Sequence, residues 1–444
     1  MKLSARFLVM LLPAIAIAVL LPAAAGRTDS ASPAKVDLPS TARFHRQGVS
    51  SCTAVACHGD TGVRGGKRSE YSTWVGEDKH AQAYQVLLDE RSRLIERNLK
   101  HLTSIREAHP EKNSLCLKCH APDATQPHSE TVIPEGVSCE SCHGAAEKWL
   151  TTHYLPEFKA LNVPQKLTQG MKPTKDLVIR AKMCAECHVG SADADVNHDL
   201  IAAGHPRLQF ELGAYHARMP KHWRMNEEKV RHPDFEVRLW AVGQAASARA
   251  AFDLLAARAG NPLRPWPELA EHDCFACHRE LRPTKLAAVR ATTVIPWSRW
   301  YTSLLDELPG RLQVLNGESE KLRVELEKPN PRRDLVAELS RKASSSLDEW
   351  LANPENAHSD HAGLDTLWKR MLGESGTWDE AVQRHLALTS IVRAQRDLDP
   401  DFHDEQVIQL LDRQRILLAF PRGLDSPSTF EPAGGRGKRQ NGSR

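Results

Sequence analysis

Gly136-Val-Ser-Cys139-Glu-Ser-Cys142-His143-Gly144 sets two thiols three positions apart and an imidazole directly after the second. The same order returns as Cys116-Leu-Lys-Cys119-His120, Cys184-Ala-Glu-Cys187-His188 and Cys274-Phe-Ala-Cys277-His278. A stretched version, Cys52-Thr-Ala-Val-Ala-Cys57-His58, stands nearest the N-terminus. These five units use all ten cysteines, and every pair is followed by histidine. C-x-x-C-H is the attachment sequence of c-type haem. Two thiols add to the two vinyl groups of one porphyrin, and the adjacent imidazole lies under the iron as proximal ligand. Disulfides would give no reason for a histidine after each second cysteine. Zinc ribbons need pairs of pairs, and five is odd. The expectation is therefore five haems c, or four if the Cys52-Cys57-His58 unit with its longer loop is not used.

The remaining histidines are candidates for the far side of each iron. Of the twenty-one, eleven besides the proximal ones fall between His58 and Cys274. His80, His153, His205 and His222 are the leading distal ligands, with His198 next and His128, His216 and His272 in reserve. His101, His109 and His232 read as surface or capping residues. His358, His361, His385 and His403 read as structural, since no attachment unit lies near them in sequence.

The order of the first four units resembles the cytochrome c-554 family. The resemblance rests on Trp74 through His80-Ala-Gln-Ala-Tyr84 after the first unit and on Gly136 through Gly144 around the third. It covers roughly residues 51–223, and that family shares its haem packing with the multihaem hydroxylamine oxidoreductases. By position it makes His80 and His153 distal ligands, and His205 or His222 another. It implies haem planes at close contact joined by short helices and loops. Its type member leaves one haem without a sixth protein ligand. This chain departs in the stretched first unit and in a fifth unit beyond the typical four.

The rest of the chain supplies the address and the scaffold. Lys2 and Arg6, the apolar run Phe7–Leu21 and the small residues before Gly26 read as a secretory signal over residues 1–25. An extended leader over 26–50 follows. The expected location is periplasmic or extracellular. The multihaem domain is expected over 51–285, with few strands because alternating β-branched runs are scarce. Asp234–Gly260 reads as one long helix. Residues 295–422 carry helical periodicity near 304–326, 333–351, 364–372, 378–398 and 404–420, with Thr377 and Glu380 as a capping box. Residues 431–444 read as a disordered tail. The fold class is mainly α, with haems as the core of the first part.

The net charge of +3 comes largely from the leader and the tail, so the body has no long-range field for nucleic acid. The expected function is electron transfer through closely spaced, mostly bis-histidine haems, with other redox proteins as donor and acceptor. The C-terminal helices are free to serve a membrane-associated complex or a homo-oligomer. The competing reading is an oxidoreductase acting on a small nitrogen or sulfur compound at one five-coordinate haem. No unit ends in Lys, which disfavours a pentahaem nitrite reductase, and no residue is singled out as catalytic.

Overall fold

The computed structural model describes residues 44–125, 135–274, 295–309, 315–372, 375, 377–399, 402 and 405–418. All lie within the unit Lys35–Arg444. The expected signal segment, most of the expected leader, His128, Cys277, His278, His403 and the expected tail fall outside the described residues.

The first part is built from short pieces: α1 (Glu70–Glu77), α2 (Glu90–Leu99), α3 (Ser114–His120), α4 (Cys139–His143) and α5 (Leu177–His188), joined by 3-10 turns and loops. Their starts follow local capping. Asn113 accepts from the Leu115 amide, Ser138 from that of Glu140, and Asp176 from that of Ile179. His80 lies in a 3-10 turn, Lys79–Gln82, capped by Asp78. Among the described residues before 176, the buried apolar side chains gather only into a small cluster of Ala146, Trp149 and Phe158. Such a patch is too small to order well over a hundred residues by itself.

The main apolar core begins where α5 meets the rest of the chain. α6 (Leu212–Arg218) and α7 (Phe235–Gly260) follow. From Phe235 to Ala248, α7 buries nearly every position, including Leu239, Trp240, Ala245 and Ala246. A helix apolar on all sides must be surrounded. It packs on α5, on α6, and on α9 (Arg333–Leu351) and α11 (Trp378–Leu398). Small residues permit the close approach, and a Cβ at Gly243 would stand 2.6 Å from Leu212 Cβ.

α8 (Leu315–Leu326), α10 (His361–Met371) and α12 (Glu405–Leu418) complete the C-terminal helices. The stripe Val336, Leu339, Ala343, Leu347 and Trp350 of α9 is buried at helical spacing. Two boundaries and one capping contact differ from expectation for local reasons. The 304–326 segment is a 3-10 turn at Leu305–Glu307 followed, past Pro309, by α8. α10 starts earlier because Asp360 caps it, accepting from Gly363 at 2.8 Å. Thr377 caps α11 through the Glu380 amide as expected, while the Glu380 carboxylate engages Arg384. Among the described residues there are only two isolated β-bridges, Ser191–Ala194 and His272–Trp297, so the mainly α reading holds.

Candidate haem cavity

Four of the five units open onto one cavity of about 2070 Å³, lined by Cys52, His58 and by both thiols and the histidine of the second, third and fourth units. A site for a single drug-sized ligand occupies about 300–1,000 Å³, so this space exceeds what one such ligand fills. The second, third and fourth units sit on α3, α4 and the last turn of α5. A helical turn places Cys i and i+3 on one side, with His at i+4 beside them. The first unit uses a different device. Its additional residues fold into a tight loop in which the Ala54 carbonyl accepts from Cys57, His58 and Gly59 at 2.8–3.0 Å.

The units are fastened to one another by buried polar groups. The Glu140 carboxylate, 2 % exposed, lies inside the third unit. It accepts from the amides of Gln47, Gly48 and Ala146 at 2.7–3.0 Å, tying the approach to the first unit onto the third. Arg46 pairs with Asp123 at 2.6 Å, and Ser138 and Ser141 both donate to Asp123. The Cys52 thiol is held near that of Cys139, and Cys119 near Cys187. Units one and three are therefore neighbours, as are two and four.

Three proximal imidazoles each face a second histidine. The ring centres of His58 and His153 are 6.0 Å apart, those of His188 and His80 6.0 Å, and those of His143 and His222 6.2 Å. A metal–imidazole bond of about 2 Å on each side, with roughly 1.1 Å from ring nitrogen to ring centre, separates the centres of two trans ligands by about 6.2 Å. Each pair is thus spaced to hold one iron. The pairing crosses the chain: His80, which follows the first unit, faces His188 of the fourth.

The second ring nitrogens support the same reading. A metal-binding imidazole donates its other N–H to a carboxylate or carbonyl, which fixes the tautomer. His58 Nδ1 contacts Glu70 Oε2 at 3.0 Å, and His80 Nδ1 contacts Asp78 Oδ1 at 2.9 Å. His120 Nδ1 meets the Ala83 carbonyl at 2.9 Å, His153 Nδ1 the Leu150 carbonyl at 2.9 Å, and His205 Nδ1 the Pro206 carbonyl at 2.8 Å. Burial, then the neighbouring histidine, pushes His143 and His188 down to about 4, so both stay neutral, the form that binds metal. The hydrogen bond to the Glu70 carboxylate raises His58 instead.

The other candidates are placed differently. His205 lines the cavity and feels the charge of His120, but no imidazole stands at ligand-pair spacing from His120 among the described residues. His198 begins the short helix His198–Ala202, its amide donating to Glu268 on the segment that leads to Cys274. His216 is buried with Nε2 3.3 Å from Arg180, and burial pushes it down to about 3. His272 is buried with Nδ1 unpartnered. His109 bonds Glu111, and His101 adopts positive φ in a turn. His358 bonds Asp234, and His385 contacts Gln414, as structural histidines do. Of the fifth unit only Cys274 is described, with Arg207 3.3 Å from its sulfur.

Sequence reasoning missed Glu70, Asp78 and Glu140. Only Asp78, two residues before His80, carried a readable signal, since Asp bonds local amides in such turns.

Residues 51–144, which hold the first three units, match the family model of cytochrome c554 and c-prime. Over this stretch the match supports membership of the cytochrome c554 family. The match supports a haem-based electron-transfer protein with covalently bound haem c. The residues present fit that group, by the spacing of the three imidazole pairs and the posture of their second nitrogens. No curated protein and no solved structure matches the chain. Among the described residues no helix is long and apolar enough to cross a membrane.

Proposed function

We propose that this cytochrome is an exported pentahaem electron carrier. The observation that supports it best is the set of three imidazole pairs at 6.0–6.2 Å opening onto one cavity. The haem supplies a one-electron iron couple. Cys116 and Cys119, Cys139 and Cys142, and Cys184 and Cys187 hold three of these groups, Cys52 and Cys57 a fourth, and Cys274 and Cys277 the fifth. His58 with His153, His143 with His222, and His188 with His80 would hold the irons through their ring nitrogens. Two fixed axial ligands limit the structural change on reduction, and the adjacency of units one with three and two with four keeps neighbouring centres close. Cys57 and the neighbouring Val55 are exposed, which gives the first unit the best access for a redox partner. Export to the periplasm or beyond agrees with the leader and with haem attachment.

A second reading rests on His120. Since no imidazole stands at ligand spacing from it among the described residues, the iron of the second unit is the candidate for an open position, where a small nitrogen or sulfur compound could bind. Pyridine haemochrome and intact mass test the count, with five haems per chain expected. Electron paramagnetic resonance of the oxidised protein tests the ligands. Purely low-spin signals favour transfer, and a high-spin signal that responds to nitrite or hydroxylamine favours catalysis. His222→Met should change one haem spectrum and leave attachment intact. An unchanged spectrum would remove the His143–His222 pair from the proposal.

A further inference from the structure

The imidazole pairs are not backed alike. His153 and His205 lean on backbone carbonyls. His222 Nδ1 is buried without a partner. Two ligands are backed by carboxylates: His80 by Asp78 at 2.9 Å and His58 by Glu70 at 3.0 Å. The carboxylates differ in setting. The Asp78 side chain is 4 % exposed, and its Oδ2 has no hydrogen-bond partner. The Glu70 side chain is 29 % exposed and also accepts from the Arg68 amide.

A carboxylate behind a ligating imidazole makes that imidazole more basic and strengthens its bond to the more highly charged iron. Its own charge acts in the same direction, and a buried charge is screened far less than an exposed one. We infer that Asp78 sets the reduction potential of the iron held between His80 and His188, holding it low, and that Glu70 does the same more weakly between His58 and His153. The inference rests on the bis-histidine reading above. In the step concerned, one electron from a one-electron donor converts Fe(III) to Fe(II), with no bond made or broken and no proton moved. Asp78 also lies within electrostatic reach of His222, so its charge is felt less directly at the third unit. Because His80 crosses from the first unit to the fourth, the Asp78–His80 turn is where the fold places this control. Asp78 acts through His80 and is a positioning residue, not a catalytic one.

The test is Asp78→Asn and Glu70→Gln in the fully matured protein. Both replacements keep an acceptor oxygen and remove the charge. Spectroelectrochemical titration with dithionite reads each couple, and electron paramagnetic resonance reads each ligand set. Asp78→Asn should raise the Fe(II)/Fe(III) ratio of one low-spin haem at least tenfold at fixed ambient potential, which is 59 mV for a one-electron couple. Glu70→Gln should move a different haem by less, and Asp78→Glu should restore the original value. A low-spin spectrum with every couple within threefold of the parent overturns the inference. If Asp78→Asn does not mature, Glu70→Gln decides alone, and no shift there overturns it. His80→Met in the parent separates the two levels. If that variant changes no haem spectrum, the ligand pairing fails, whereas a changed spectrum with unmoved couples in the carboxylate variants refutes only the tuning.

Discussion

Arg258 lies near the end of α7 and is 5 % exposed. Its Nη2 donates to Asp195 Oδ1 at 2.5 Å and its Nη1 to Glu271 Oε1 at 2.6 Å, with a further contact from Nε to Asp195 Oδ2 at 3.3 Å. Asp195 follows the fourth unit, and Glu271 stands just before Cys274, so one guanidinium joins the fourth unit to the approach of the fifth. Replacing it by Met keeps the volume and removes the cation. Removing one partner of a buried ion pair costs about 3–5 kcal/mol, mostly because the other charge is left uncompensated. Asp195 keeps Arg264 at 2.5 Å, so the main orphan is Glu271, and the expected loss is near the lower end, about 3 kcal/mol. At about 2–4 °C per kcal/mol for a large domain, the midpoint of a far-ultraviolet dichroism melt should fall by about 6–12 °C. Adding Asp195→Asn and Glu271→Gln to Arg258→Met should recover a large part of that fall, because the buried charges then vanish together. A fall under about 2 °C, or no recovery in the triple variant, refutes the idea that this arginine offsets buried carboxylates.

Gly243→Ala should destabilise the protein by about 1–3 kcal/mol, although alanine is the better helix former, because its methyl group would meet Leu212 where α6 crosses α7. Urea unfolding followed by dichroism checks it, and a gain in stability would show that the crossing relaxes freely. Glu140→Gln should cost about 2–3 kcal/mol, since an amide group would face amide donors now served by a carboxylate; unchanged stability would mean the strap to the first unit bears no strain. Asp234 gives a pH signature. Burial pushes its carboxyl up, but the Ser359 amide, Arg238 and His358 outweigh that and hold it below the ordinary value. Its stabilisation is therefore full above about pH 4 and is lost as pH falls through the lowered value. Asp234→Asn should lower the urea midpoint at pH 7 and flatten its fall between pH 4 and pH 2; an unchanged slope would place the acid sensitivity elsewhere.

Much of the site was legible in the sequence because its chemistry is local. Cys and His at i, i+3 and i+4 declare a haem face in any helical turn, and the α7 segment declares burial by being apolar on every side. His80, His153 and His222 could be nominated by type and position. Their partners could not, since the chain between each pair is long and made of short helices and loops with few apolar residues to fix a path. Glu70 and Glu140 were invisible for a related reason. Their carboxylates matter only once a distant imidazole or a set of distant amides arrives beside them.

The amino-acid order alone established covalent haem attachment and a helical scaffold, because both follow from residues within one or two turns of each other. Only the fold showed that His80 faces His188 of the fourth unit, that His222 faces His143 of the third, and that Asp78 stands behind His80. Those outcomes depend on where long loops close around a shared cavity, and loop closure is set by the whole assembly rather than by any one segment.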